Sequence, residues 1–430
     1  MKTLHLTNAW SPVSGGIATF YRALLKAANQ RGHRMRLVVP GMKDTVEECG
    51  PHGRIYYVKA RRAPFNHGYR LILPHQYLAP GSTLRRILRE ESPDLVEVCD
   101  KYTLNWLAGL LRIGAFPMQP KPVVVGLSCE RLDENSRLYV SQGAAAEWFC
   151  RTYMHWLYFP LFDHHITVSG HTAGELRAAA SGHRVERGVW IRPMGVAIEQ
   201  MSPSRRNPEA RRLLLQAIGG DRETVVLLYA GRLAIEKNLP LLIGMMHHLA
   251  KDARCDYRLV CAGSGRMLEE LERRASGLGP GRVTFLGHIA DRELLANLYA
   301  NADIFVHPNP REPFGIAPLE AMASGLPVVA PPTGGVSEYA SAENCWFAEA
   351  RPEAFAAAVR DVQADPAMRA RRIAAAQETA QRLAWSPVCS AVLDLYSDIH
   401  AAAAGRPFSF PPAFVSTTDA HRTSQAKSVL

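Results

Sequence analysis

Short apolar runs alternate with stretches of helical spacing along most of the chain. Residues 3–7 read as a strand, 8–16 as a polar turn, and 17–30 carry apolar side chains at helical intervals. Gly32 can end that helix before a second strand-like run at 35–39. Strand, helix, strand in this order makes a βαβ unit and predicts a parallel sheet. The runs at 95–99, 123–127 and 165–168 continue the series, so a doubly wound domain is expected to close near Pro193.

A second series starts after the polar, proline-containing stretch 202–208. Its expected strands are 225–229, 257–261, 283–286, 304–307 and 327–330, with helices between them. The alanine-rich segment 352–384 predicts surface helices. From Arg406 onward the chain is rich in Pro, Ser and Thr without periodicity, which predicts a disordered tail over 406–430. The expected division is therefore 1–193, 194–384, a closing helix at 385–405, and the tail. In doubly wound sheets ligands sit at the carboxyl ends of the strands, so two such domains are expected to face each other across a cleft.

Length and composition agree with this division. At 430 residues and 47% hydrophobic, the chain is too long for one ordinary core and suits two domains of roughly 200 residues. Its eight cysteines are scattered, with no Cys-x-x-Cys pair and no metal-ligand spacing, and read as small buried hydrophobes in a reducing compartment. No opening stretch is apolar enough for a signal peptide and no run is long enough to span a bilayer, so a cytoplasmic protein is expected.

Charge becomes informative once it is located. Residues 1–193 hold 25 Lys and Arg against 15 Asp and Glu, whereas 194–430 hold 25 against 25. The net +10 lies wholly in the amino-terminal half. An ordinary basic surface accounts for it, as does a face for an anionic membrane or a phosphate-bearing acceptor. Nucleic acid is not an expected partner, because no recognised binding module accompanies the charge.

Three segments carry candidate chemistry. The first is EPFGIAPLEAMASGLPVV at 312–329, where Phe314-Gly315 opens a helix expected over 317–324 and Gly325 ends it. Glu312 lies in the loop before this helix and Glu320 on it, with N–H groups between them free to meet a diphosphate. The second is GRLAIEKN at 231–238, which places Arg232 and Lys237 just past a strand's carboxyl end. Two cations and helix N–H groups can compensate a departing nucleoside diphosphate without a metal. The third is Ser14-Gly15-Gly16, where backbone can approach a phosphate or sugar. Each alone also fits a bland role as a cap, a solvated cation or a tight turn. Together, in order and each at a strand end, they point to a site.

At these residues the sequence resembles the retaining glycosyltransferases of family 4 (glycosyl transferases group 1), which have the α/β GT-B fold of two Rossmann-like doubly wound domains. The resemblance runs from Gly15-Gly16 through GRL…EKN, GSG at 263–265, FLGHI at 285–289 and the Glu312 block to GGVSE at 334–338, with Trp385 and Tyr396 resembling the closing helix. It implies that Arg232 and Lys237 bind the donor diphosphate, Glu312 the sugar hydroxyls and Glu320 the ribose. Phe314, Gly315 and Ile316 would position sugar and phosphates through backbone N–H groups. Gly263 and His288 join the donor set through their motifs, and Gly15 and Gly16 would close over the diphosphate. The implied reaction moves a mannose- or glucose-type hexose to a hydroxyl of a glycan, glycolipid or lipid-linked acceptor. The donor is a GDP- or UDP-linked sugar, with no further cofactor and no metal.

One position departs from the family pattern. Many members carry a histidine after the strand that corresponds to 123–127, whereas here the stretch reads Ser128-Cys129-Glu130. The segments VEVCDKYTL (96–104) and ERLD (130–133) are similar to bacterial GDP-mannose-dependent α-mannosyltransferases, which makes Asp100 and Glu130 candidates for catalytic, sugar or acceptor contact. The alternative for both is an ion pair behind the site. The aromatic run 148–162 fits either a core helix or an acceptor and lipid contact, the latter implying peripheral attachment to the inner face of the cell membrane. The competing function is a non-catalytic nucleotide-sugar-binding subunit of the same fold. An oxidoreductase is disfavoured, because no G-x-G-x-x-G follows the first strand.

Overall fold

Apolar runs bounded by turns become buried central strands in two α/β units. The computed structural model describes residues 1–11, 15–64, 68–139, 143–182, 188–252, 255–406, 408, 414 and 415. Ser14 and most of the expected tail therefore lie outside the described residues. The chain divides into one unit of Met1–Pro193 with Val388–Leu430 and a second of Met194–Pro387.

The first unit is built on nine strands: β1 (Lys2–Thr7), β2 (Arg34–Gly41), β3 (Thr45–Glu48), β4 (Gly53–Lys59), β5 (Leu95–Cys99), β6 (Val123–Ser128), β7 (His164–Thr167), β8 (Gly188–Ile191) and β9 (Phe414–Val415). Across the sheet they run β9-β8-β7-β6-β5-β1-β2-β4-β3. Pairing is parallel except at the two edges, where β3 lies antiparallel to β4 and β9 to β8. Strand β5 is buried throughout, as expected when helices cover both faces of a parallel sheet. The chain moves from β1 outward to β2 and then crosses to β5, so the switch point lies between β1 and β5.

The second unit carries β10 (Val225–Ala230), β11 (Tyr257–Ala262), β12 (Val283–Gly287), β13 (Ile304–Val306), β14 (Val328–Ala330) and β15 (Trp346–Phe347) in the order β12-β11-β10-β13-β14-β15. Every pair is parallel. Its switch point falls between β10 and β13, where Gly231-Arg232 and His307-Pro308 leave the sheet.

Several expectations are refined. Strands β4 and β8 and the short edges are not predicted, because their apolar runs, such as 55–58 and 189–191, are too short to hold a period. Part of the expected tail is ordered, since Phe414 and Val415 pair with Val189 and Gly188. All eight cysteines are free, five of them buried. The 148–162 run is no single core helix: it comprises α-helix Ala144–Thr152, π-helix Tyr153–Tyr158 and 3₁₀ turn Phe159–Leu161. Met154, Tyr158, Phe159 and Phe162 join the core, while Trp148 and Trp156 are each 66% exposed and Phe149 61%. The core reading holds for the first four residues, and the other three stand at the surface.

The helix Trp385–Ala403 starts in the second unit and ends in the first. Its anchor in the first unit is Glu97 at the centre of β5, which has no solvent exposure. The Tyr396 hydroxyl donates to one Glu97 oxygen. Tyr21 OH at 2.8 Å and His5 Nδ1 at 3.0 Å reach the other. A buried carboxylate without partners would cost several kcal/mol, so these contacts make the helix docking specific.

Candidate active site

Glu312 and Lys237 meet at the switch point of the second unit. The strand β10 delivers Gly231 and Arg232, and a 3₁₀ turn, Ile235–Lys237, follows. Asn238 ends that turn in the left-handed region at φ 54° and ties it to the loop after β13 by donating to the Pro308 carbonyl at 3.1 Å. Lys237 Nζ consequently reaches both Glu312 oxygens, at 2.9 and 2.7 Å. Asn309 Nδ2 donates to Oε2 at 2.9 Å and His307 Nε2 lies 3.5 Å from the same atom.

This setting fixes the charges. Burial pushes the Glu312 carboxyl up, but Lys237, His307 and Asn309 outweigh it and hold the pKa at about 2. Burial lowers His307 to about 4, with repulsion from Lys237 added and attraction from Glu312 opposing. At neutral pH the group is a carboxylate, an ammonium and a neutral imidazole. Glu312 can accept hydrogen bonds from hydroxyls and has no proton to give as an acid.

The helix Ile316–Ala323 begins directly after this loop. Gly315 is its N-cap at φ +92°, a conformation that disfavours side chains, and a Cβ there would lie 2.8 Å from Val336 Cγ2 and 3.0 Å from the Tyr339 hydroxyl. No side chain caps the helix. Among the described residues the backbone N–H groups of Phe314, Gly315 and Ile316 meet no carbonyl. They supply the donors and positive dipole end that an anion requires. Phe314 itself is buried, its ring 5.2 Å from that of Tyr339.

Glu320 lies one turn further along the helix, 7% exposed. Tyr299 OH donates to Oε2 at 3.1 Å and Arg292 Nη2 to Oε1 at 3.3 Å. Burial raises its pKa against the pull of Arg292 and Tyr299. Arg232 pairs with Glu236 at 3.0 Å and keeps 53% side-chain exposure. The glycine motifs are woven together behind these groups: Gly231 N–H donates to the Ala262 carbonyl at 2.9 Å and Gly263 N–H to the Gly287 carbonyl at 2.7 Å. A Cβ on Gly263 would strike the Gly231 carbonyl oxygen. His288 is exposed just past β12.

The remaining candidates belong to the first unit. Gly15 caps and Gly16 begins the helix Gly16–Gln30, and both are exposed. Asp100, at that unit's switch point, spends its carboxylate on structure. Its Oδ1 accepts from the N–H groups of Tyr102, Thr103 and Leu104 at 2.9, 2.7 and 2.8 Å, and Oδ2 from Asn8 at 3.0 Å. Asp100 thus holds its own loop. Glu130 takes hydrogen bonds from Tyr102 and Asn135 at 3.2 and 3.0 Å. The Cys129 thiol is driven well up by its hydrogen bond to Cys99 and by burial, so it stays protonated and is no nucleophile.

Sequence reasoning missed Arg292, Tyr299, His307 and Asn309. His307 and Asn309 could have been found as polar residues between a buried strand and the Glu312 motif.

Comparison with known proteins follows the same boundaries. The model of the family described as Glycosyltransferase Family 4 matches residues 14–189, and that of Glycosyl transferases group 1 matches residues 212–379. The chain is a family 4 glycosyltransferase. This glycosyltransferase is similar to the GDP-mannose-dependent alpha-(1-6)-phosphatidylinositol dimannoside mannosyltransferase of Mycobacterium tuberculosis, at 29% identity over 91% of this chain and 95% of that one. It is 26% identical to the GDP-mannose-dependent alpha-mannosyltransferase of Corynebacterium glutamicum over 95% of this chain and 92% of the other. Among solved structures, sucrose-phosphate synthase from Thermosynechococcus elongatus superposes with TM-score 0.72 at 21% identity, covering 94% of this chain and 100% of its own. Anabaena HepE in complex with UDP and glucose does so with TM-score 0.69 at 19% identity, covering 92% and 99%. These likenesses show the GT-B fold of the glycosyltransferase.

Proposed function

We propose that this glycosyltransferase transfers mannose, with retention, from GDP-mannose to a hydroxyl of a lipid-linked or glycolipid acceptor. The observation that carries the donor half is the pairing of Lys237 with Glu312 beside the uncapped helix Ile316–Ala323. Glu312 accepts from sugar hydroxyls, Lys237 and Arg232 face the diphosphate, and the N–H groups at Phe314, Gly315 and Ile316 complete its shell. Glu320 takes the ribose hydroxyls. As the glycosidic C–O bond breaks, its electron pair leaves with the nucleoside diphosphate, and these groups compensate the growing charge without a metal. The acceptor oxygen bonds to the same carbon from the leaving-group side and passes its proton to the departing phosphate. GDP-mannose is favoured by the two mannosyltransferase relatives, which match nearly end to end.

The acceptor half rests on the first unit. Trp148, Phe149, Trp156 and Leu157 stand exposed about two turns apart, with exposed Arg151 between them. Aromatic and basic side chains on one segment suit a lipid interface, and the chain's excess positive charge lies in the same half. Peripheral contact with an anionic cytoplasmic leaflet is accordingly part of the proposal.

The test is a panel of GDP-, UDP- and ADP-sugars scored by the rise in melting temperature and by transfer to a mannosylated lipid. GDP-mannose should give the largest rise and be the donor consumed. A larger rise with UDP- or ADP-sugars would overturn the choice of base, and donor binding without transfer across a broad acceptor panel would favour a non-catalytic subunit.

A further inference from the structure

A cavity of about 700 Å³ opens in the second unit at the amino-terminal ends of β10 and β13, where Thr224, Val225, Asp303 and Ile304 line it. Lys237 and Glu312 lie past the carboxyl ends of the same strands. A six-residue strand is about 20 Å long, so this cavity is distinct from the donor residues.

Its lining is cationic. Arg206, Arg211, Arg222 and Arg369 face two carboxylates, Asp303 and Glu223. Arg211 is spent on structure, pairing with Asp303 at 2.7 Å and donating to the Asn301 and Thr224 carbonyls at 2.8 Å each. Arg206 comes only to 3.8 Å of Asp303 and keeps 67% side-chain exposure. Arg222 and Arg369 have no acceptor among the described residues. The helix Pro366–Arg382 brings Pro366 and Arg369 of its first turn to the cavity, and with them the positive end of its dipole.

A second observation is independent of charge. Ser324 lines the cavity, is 3% exposed, and its Oγ has no hydrogen-bond partner. Buried hydroxyls are normally paired, and one left open in a cavity that unmatched guanidinium groups also line is a donor awaiting an acceptor. Ser324 also terminates the helix Ile316–Ala323, its N–H donating to the Glu320 carbonyl at 3.0 Å.

We propose that this cavity binds a phosphate-bearing anion, with Arg222 and Arg369 meeting the phosphate and Ser324 donating to it, at the far end of the helix whose near end serves the donor. The proposal stands without the donor assignment, because none of its residues is used there.

The full chain is titrated calorimetrically with pyrophosphate, and separately with a hexose 6-phosphate, in the presence of saturating GDP and UDP together, so that either base fills the donor site. Saturable binding is expected, weakened by roughly tenfold or more in Arg222→Glu and in Arg369→Glu, and to a smaller degree in Ser324→Ala. All three variants should melt cooperatively near the wild-type midpoint, which confirms their fold. Preference for the hexose phosphate over pyrophosphate would identify a sugar phosphate as the ligand class. Unchanged affinity in both arginine variants, or no saturable binding of either anion below about 10 mM, would overturn the proposal.

Discussion

Lys237 holds both oxygens of Glu312, at 2.9 and 2.7 Å, from opposite sides of the switch point in the second sheet. The pair comes from two loops that leave neighbouring strands, and neither residue can be moved without unsettling the other. Their side chains are 17% and 12% exposed.

Removing one partner should therefore cost more than removing both. Lys237→Ala leaves the Glu312 charge buried and unpaired, a loss of about 3–5 kcal/mol. The double variant Lys237→Ala with Glu312→Ala should regain part of that stability while remaining without transfer activity. Chemical denaturation of the three variants checks this, and additive losses would show that the pair is not coupled.

His307 gives the protein an acid-sensitive limb. Its folded pKa of about 4 lies below the ordinary 6.5. Between these values the unfolded chain takes up a proton that the folded one refuses, so stability present above pH 6.5 falls as pH drops to 4. The whole window is worth about 3 kcal/mol. Glu312, held at about 2, adds a second loss from 4.5 downward, because the unfolded chain again protonates first. Urea unfolding at pH 7.5 and 5 should show the upper slope in wild type and a shallower one in His307→Asn, where His33, lowered by burial to about 4, supplies what remains.

Gly315→Ala should impair donor binding and stability together. The backbone there sits at φ +92° and the added methyl would press on Val336 and Tyr339. A loss of about 1–3 kcal/mol is expected, with a raised KM for the donor. Unchanged melting and KM would mean that the helix entry adapts freely.

Trp148→Ala with Trp156→Ala should abolish co-sedimentation with anionic vesicles at low salt while stability stays within about 0.5 kcal/mol. Both rings are two-thirds exposed and are not needed by the core. Retained vesicle binding would move the lipid contact elsewhere.

Tyr396→Phe should destabilise the first unit by about 1–3 kcal/mol, because it takes a donor from the buried Glu97 carboxylate. Thermal melting of the full chain reads it directly, and an unchanged midpoint would show that Tyr21 and His5 suffice.

The sequence showed the two wound sheets because uninterrupted apolar runs such as Leu95–Cys99 are buried on both faces. Short strands such as Gly188–Ile191 were hidden, since two to four residues hold no period. In the site, Glu312, Glu320, Arg232 and Lys237 were legible from motif and strand position. Their partners were not: Arg292 and Tyr299 reach Glu320 from a helix whose spacing says nothing about its neighbour. The structural part of Asp100 was hidden for a related reason. An acidic residue a few positions before the helix Asn105–Arg112 could have been read as an anchor of the loop leading into it, and its hydrogen bonds from the Tyr102, Thr103 and Leu104 N–H groups hold that loop.

The central claim is that Glu312 and Lys237 bind and activate a nucleotide-sugar donor. Release of GDP from GDP-mannose in the presence of a lipid-linked acceptor tests it most directly, compared between wild type and Glu312→Gln. The isosteric amide should keep the fold but lose the carboxylate, lowering kcat/KM by roughly 100-fold or more. Wild-type kinetics in Glu312→Gln would contradict the assignment.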